Sequence, residues 1–98
     1  MRAAFAAAFL AAGAAQGATH VVTIEGMKYE PATLVVRAGD TVTWHNKDMV
    51  PHTATAAGRF DSRNIAPGQS WSWQAGAPGE HAYVCTYHFG MAGKVVVR

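Results

Sequence analysis

The feature that most constrains this chain is a series of short runs in which apolar and polar residues alternate, separated by glycine, proline and aspartate. Val22 and Ile24 flank Thr23, and Leu34, Val36 and Ala38 alternate with Val35 and Arg37 before a turn at Ala38–Asp40. Val42 and Trp44 alternate with Thr41, Thr43 and His45, and "SWSWQ" (Ser70 to Gln74) puts Trp71 and Trp73 on one face. Thr53 to Ala56 is a weaker run, and Ala82–Cys85 and Lys94–Val97 complete the set. A period of two specifies strands with one buried face, and many short strands with turns between them specify a sandwich or barrel. Pro67-Gly68 and Pro78-Gly79 are turn signals that bracket the tryptophan strand. No window sustains a helical period, so the expected class is all-β. Trp44, Trp71 and Trp73 fall on the inward phase and are expected in the core, as is Tyr83, which shares a face with Cys85.

The N-terminus follows a different rule. Arg2 precedes an apolar run from Ala3 to Ala12, and small residues follow. A basic start, a short apolar stretch and a small-residue cut site describe a secretory signal, and the run is shorter than the roughly 18 apolar residues of a spanning helix. The cut could follow Ala14, Gly17 or Ala18, with the last two preferred. The expected organisation is a signal over residues 1–18 and one domain over 19–98, in a periplasmic or exported protein with no stable membrane association once cut. Cleavage removes Arg2, so Lys+Arg falls from 8 to 7 against 6 acids and the net charge from +2 to +1. No basic patch remains, and nucleic acid is not an expected partner.

A domain of about 80 residues has a modest core, and small exported domains often add disulfides. A single cysteine has nothing in the chain to pair with, and a lone thiol in an oxidising compartment calls for burial or a bound partner. The acids Glu25, Glu30, Asp40, Asp48 and Asp61 are scattered without a paired-carboxylate spacing. No serine sits in a nucleophile elbow and no glycine loop precedes a helix. The chain is not expected to be an enzyme.

The chemistry concentrates in "YVCTYHFGMAGKVVV", where Cys85, His88 and Met91 follow one another at equal spacing. Singly each reads as packing or turn; together they bring a thiolate, an imidazole and a thioether into one tight loop between two strands. A metal site needs a fourth donor. His81 is four residues before Cys85, roughly 13 Å along an extended strand, and reads as a surface or packing residue. His20 has no partner nearby and is expected to be solvated, and His45 points away from the Trp44 face. His52 follows Pro51 at a strand start, but whether that start meets Cys85 is left open by the spacing. Two imidazoles, a thiolate and a weak methionine are too soft for calcium or magnesium, and zinc more often recruits further cysteines or histidines. A trigonal His₂Cys set with a long axial methionine is a blue-copper arrangement.

The segments "MKYEPATLVVRAGDTVTWHN", "MVPHTA", "GRFDS", "PGQSWSW" and "CTYHFGMAGKVVV" resemble the small blue copper proteins, the cupredoxins, and most of all their amicyanin branch with its plastocyanin and pseudoazurin relatives. The resemblance covers essentially the whole chain after the signal. It implies a Greek-key β-sandwich of about seven to eight strands and one type 1 copper ion. Matched position by position, it puts the ligands on His52, Cys85, His88 and Met91, and on Asn46 an asparagine that ties the ligand loops together. It also implies an electron-transfer surface of His88, Phe89, Met49 and Pro51. The Cys-x₂-His-x₂-Met loop is the short amicyanin type. That loop carries prolines on both sides of its histidine, whereas Tyr87 and Phe89 stand there in this chain.

The function implied is that of a soluble, monomeric single-electron carrier cycling between Cu(I) and Cu(II), with transient redox partners of the dehydrogenase or c-type cytochrome class. A second class is a periplasmic copper-binding module for storage, delivery or resistance, although the Met- and His-rich tracts suited to that role are missing. A third, a domain of a multicopper enzyme, fails on length.

Overall fold

The computed structural model describes residues 17–98, so nearly all of the expected signal lies outside the described residues. Among the described residues nine strands follow one another: β1 Thr19–Glu25, β2 Lys28–Glu30, β3 Thr33–Val36, β4 Thr41–Asn46, β5 Thr55–Ala56, β6 Phe60–Asp61, β7 Ser70–Gln74, β8 Gly79–Val84 and β9 Ala92–Val97. They form a four-stranded sheet in the order β2-β1-β4-β7 and a five-stranded sheet in the order β3-β9-β8-β5-β6. Both sheets are mixed, with β1 parallel to β4 and β3 parallel to β9. The all-β sandwich is as expected. The strands that alternation did not reveal, β2 and β6, have three and two residues, too few for a period to register. Of the run Thr53–Ala56 only Thr55–Ala56 is strand, and β8 stops at Val84, leaving Cys85 just beyond it.

The alternating residues do what their phase requires. In β4, Val42, Trp44 and Asn46 are buried while Thr41, Thr43 and His45 are half-buried. Val22 and Ile24 of β1, Val36 of β3, Tyr83 of β8 and Val95 and Val97 of β9 join Val42 and Trp44 in one core. Trp44 is its centre, with ring centroids 5.3 Å from Phe60, 5.6 Å from Trp71 and 5.3 Å edge-on from Tyr83. Such pairs contribute about 0.5–1.5 kcal/mol each beyond area burial. Burial pushes the Tyr83 hydroxyl up to about 12 and the Tyr29 hydroxyl higher still.

Trp71 and Trp73 are only half-buried, short of the core positions expected. They lie on β7, the edge of its sheet, where cover comes from one side: Phe60 of the short β6 stands 4.7 Å from Trp73. His20 corrects a second expectation. It is half-buried, and its Nε2 lies 2.9 Å from Asp40 Oδ2, because the β1–β4 pairing sets the start of β1 beside the turn before β4. His45 and His81 are as expected: His45 bonds Ser70 Oγ on the outer face at 2.7 Å, and Arg59 donates to His81 Nδ1 at 2.9 Å.

One glycine fixes the wall below the Cys85 loop. Gly93 pairs with Tyr83 across β8 and β9, and a Cβ there would stand 2.5 Å from the Tyr83 ring and hydroxyl. Only glycine lets Tyr83 lie flat on β9.

Candidate metal centre

Two chain segments meet at one end of the sandwich. The first runs from the end of β4 through Asn46–Thr53; the second is the loop Cys85–Met91 between β8 and β9. The second is tight because its ends are clamped: the Cys85 amide donates to the Met91 carbonyl at 3.0 Å, and the Met91 amide to the His88 carbonyl at 3.3 Å. Gly90 has φ 86°, the left-handed region that glycine adopts at little cost, and it turns the chain back into β9.

The first segment is fixed by a buried asparagine. Asn46 is fully buried; its Nδ2 donates to the carbonyls of Val50 and Ile65 at 2.9 Å each, and its Oδ1 accepts from the Asp48 amide at 2.9 Å. Ile65 also exchanges both backbone hydrogen bonds with His52, at 3.1 and 2.8 Å. Pinned in this way, the fully buried His52 ring turns Nδ1 toward the second segment.

There the donors converge. Cys85 Sγ lies 3.7 Å from His52 Nδ1 and 3.4 Å from His88 Nδ1, and the three donor atoms lie within 4.8 Å of one another. His52 and Cys85 are buried and His88 half-buried. Met91 is buried in the same loop, 5% exposed. The spacing His52–Cys85 that the sequence leaves open is therefore closed by the fold.

This donor set fits a first-row metal. Nitrogen and sulfur donors about 2.0–2.3 Å from one ion, set trigonally around it, stand roughly 3.5–3.8 Å apart; the sulfur–nitrogen separation to His52 falls in that range and the one to His88, 3.4 Å, just below it. Two imidazoles and a thiolate with a methionine nearby select copper over zinc, calcium or magnesium.

The contacts of three further residues escaped the sequence. Asp48 Oδ2 lies 2.8 Å from His52 Nε2, fixing Nδ1 as the nitrogen free to ligate, as carboxylates do for metal-binding histidines. Its carboxylate also accepts the Gly26 and Met27 amides at 2.7 and 3.0 Å. Burial pushes the Asp48 carboxyl up, but the Met27 and Gly26 amides and the His52 ring outweigh it and hold it below its ordinary value. The signal was available: Asp48 is the one acid in "NKDMVPH". The Thr53 amide points at Cys85 Sγ at 3.4 Å, and the Thr53 hydroxyl accepts from the Thr86 amide at 2.9 Å. Hydrogen bonding to the cysteine sulfur is one of the controls on a copper–thiolate potential. Last, the Tyr87 hydroxyl donates to Asn64 Oδ1 at 3.0 Å.

A cupredoxin-like domain family matches residues 1–97. The chain belongs to the cupredoxin-like family. It is 40% identical to the amicyanin of Paracoccus denitrificans over 96 residues, 92% of this chain and 72% of the relative. It is 38% identical to the chloroplastic plastocyanin of Tetradesmus obliquus over 84 residues, 71% of this chain but only 58% of the relative. Solved structures similar to this cupredoxin include a single-site amicyanin variant in its Cu(I) form, with a TM-score of 0.76, 37% identity and 82% of each chain covered.

The surface expected for electron transfer is exposed. Phe89 and Met49 are 109% and 91% exposed, and Pro51 is exposed as well. They sit on the two loops that carry His88 and His52, with Val50 and Tyr87 adding partly exposed apolar surface. No helix among the described residues is long and apolar enough to cross a membrane.

Proposed function

We propose that this cupredoxin is an exported single-electron carrier that holds one type 1 copper ion with His52, Cys85, His88 and Met91. The observation that carries the reading is the convergence of His52 Nδ1 and His88 Nδ1 on Cys85 Sγ. Bound there, copper supplies a one-electron couple between Cu(I) and Cu(II).

The chain's own residues supply the rest. Asp48 and Ile65 hold the His52 ring from its far nitrogen and from its backbone. Asn46 ties the His52 segment to Ile65, and Thr53 joins the two ligand segments through the Thr86 amide and Cys85 Sγ. Burial of His52, Cys85 and Met91 keeps water from the donors. A site held this firmly by protein contacts changes little between two oxidation states, and four protein ligands leave no position open for a substrate. The chain therefore exchanges electrons rather than catalysing. His88, half-buried, is the exit, and Phe89, Met49 and Pro51 form its apolar rim. Small apolar patches suit brief encounters with redox proteins.

Cu(II) added to the folded protein is expected to give an intense thiolate-to-copper absorption and a reversible one-electron wave with the ion retained. Copper binding without that absorption would sink the carrier reading. Release of the ion on reduction would instead favour the storage or delivery module.

A further inference from the structure

At the opposite end of β1 the residue just before the strand meets a buried carboxylate. Asp40 is 6% exposed. Its Oδ1 accepts from the Ala18 amide at 2.9 Å, and its Oδ2 from the Arg37 amide at 3.0 Å, with His20 Nε2 at 2.9 Å. The Ala18 carbonyl accepts from the Thr41 amide at 2.9 Å, so both backbone groups of Ala18 are built into the fold. One residue earlier the path is crowded: a Cβ on Gly17 would stand 2.8 Å from the backbone N and Cα of Asp40. Ala18 is built in on both sides while the residue before it fits only without a side chain, so the fold's own use of the chain starts at the Gly17–Ala18 peptide bond.

We infer that the precursor is cut at that bond and that the α-ammonium released on Ala18 docks on the Asp40 carboxylate, beside His20, as an ion-paired N-terminus. The inference rests on the export reading. It moves the domain start from residue 19 to residue 18. Ala15-Gln16-Gly17 gives a signal peptidase the small residues it needs at the third and first positions before the cut. The enzyme adds water across the Gly17–Ala18 bond; the new carboxylate leaves with Gly17, and Ala18 keeps its nitrogen, which is protonated below its ordinary pKa of about 7.7–8.0.

The product fits better than the precursor. The nitrogen already stands at hydrogen-bond distance from Asp40 Oδ1, and on cleavage a neutral amide is replaced by a cation. Charge-assisted hydrogen bonds are roughly twice as strong as neutral ones. A cut one residue later would remove the Ala18 partners of both Asp40 and Thr41. A cut after Ala14 would leave residues 15–17 ahead of Ala18, whose nitrogen would stay a neutral amide.

The test expresses the full precursor, with its own leader and a C-terminal tag, in a secreting bacterium, and reads the N-terminal sequence and intact mass of the exported protein. A start at Ala18 is expected, and a Gly17→Ala precursor should yield a mature protein of identical mass. A start at Thr19 or Ala15, or an unequal mass from Gly17→Ala, overturns the cut. A retained leader overturns the export reading itself. The ion pair is read separately, by titrating the Ala18 amine of the mature protein by NMR. A pKa above the ordinary range, brought back into it by Asp40→Asn, is expected. A value already inside that range in the unmutated protein overturns the ion pair without needing any variant.

Discussion

The His52 half and the His88 half of the metal centre are held in different ways. His52 is fully buried and tied at both ends of its ring and backbone, by Asp48, Ile65 and, through Ile65, Asn46. His88 sits half-buried in a loop of seven residues (85–91), closed by three backbone hydrogen bonds of 3.0 to 3.4 Å, by the Thr86 amide to the Thr53 hydroxyl, and by one exposed contact, Tyr87 to Asn64. One half is set by a buried polar network, in which every lost partner leaves an unsatisfied group. The other is set mainly by loop length. The difference teaches where rigidity and access lie: the scaffold fixes one histidine and leaves the other near the surface, where a partner can reach it.

The contrast can be broken from either side. Asn46→Ala should cost most, because it strands the Val50 carbonyl and the Asp48 amide and takes one of two donors from the Ile65 carbonyl; unsatisfied buried groups cost about 1–3 kcal/mol each. Urea unfolding of the metal-free protein should show a loss of about 2–3 kcal/mol; a loss no larger than that of a surface substitution would mean that the network does not hold the His52 half.

Asp48→Ala comes next. It frees the far nitrogen of His52, and loss of such a partner typically weakens metal affinity about 10–100-fold. Competition against a copper chelator measures it, and unchanged affinity would show that Ile65 alone suffices.

Tyr87→Phe should do less. It removes one hydrogen bond worth about 0.5–1 kcal/mol, so amide exchange in residues 86–90 should speed up by about two- to fivefold. An effect rivalling that of Asp48→Ala on copper affinity would erase the distinction between the halves. A last effect is confined to acid and to the far end of the sandwich. The Arg37 amide, His20 and the Ala18 amide lower the Asp40 carboxyl to about 2. A depressed folded pKa contributes stability that is present above the unfolded value near 3.9 and is lost as pH falls through about 2. Thermal melts should therefore show a drop over that window that is smaller in Asp40→Asn.

Tyr87 and Phe89, standing where the amicyanin loop carries prolines, turn out to have separate tasks. Proline would restrict the loop by fixing φ. Tyr87 instead tethers it to the segment that already braces His52, since Asn64 is the neighbour of Ile65. Phe89, fully exposed, tethers nothing and enlarges the apolar rim.

Much of this was legible in residues alone. Strands of four or more residues announced themselves by alternation, and Cys85, His88 and Met91 by their spacing around a lone cysteine. The short strands β2 and β6 were not legible, and β5 only weakly, because a period needs length. The half-buried state of Trp71 and Trp73 was hidden as well, since alternation gives the face of a strand but not its place at a sheet edge. His20 looked solvated because its partner is 20 residues away.

The sequence by itself determined the donors, the all-β class and the compactness of the ligand loop, because these depend on residue type and on separations of a few residues. Only the tertiary structure decided that His52 reaches Cys85, 33 residues on, and that Asp48 orients it. It alone set Ala18 against Asp40. Each of these joins segments from different parts of the chain, and nothing short of strand pairing and burial brings such segments within hydrogen-bond distance.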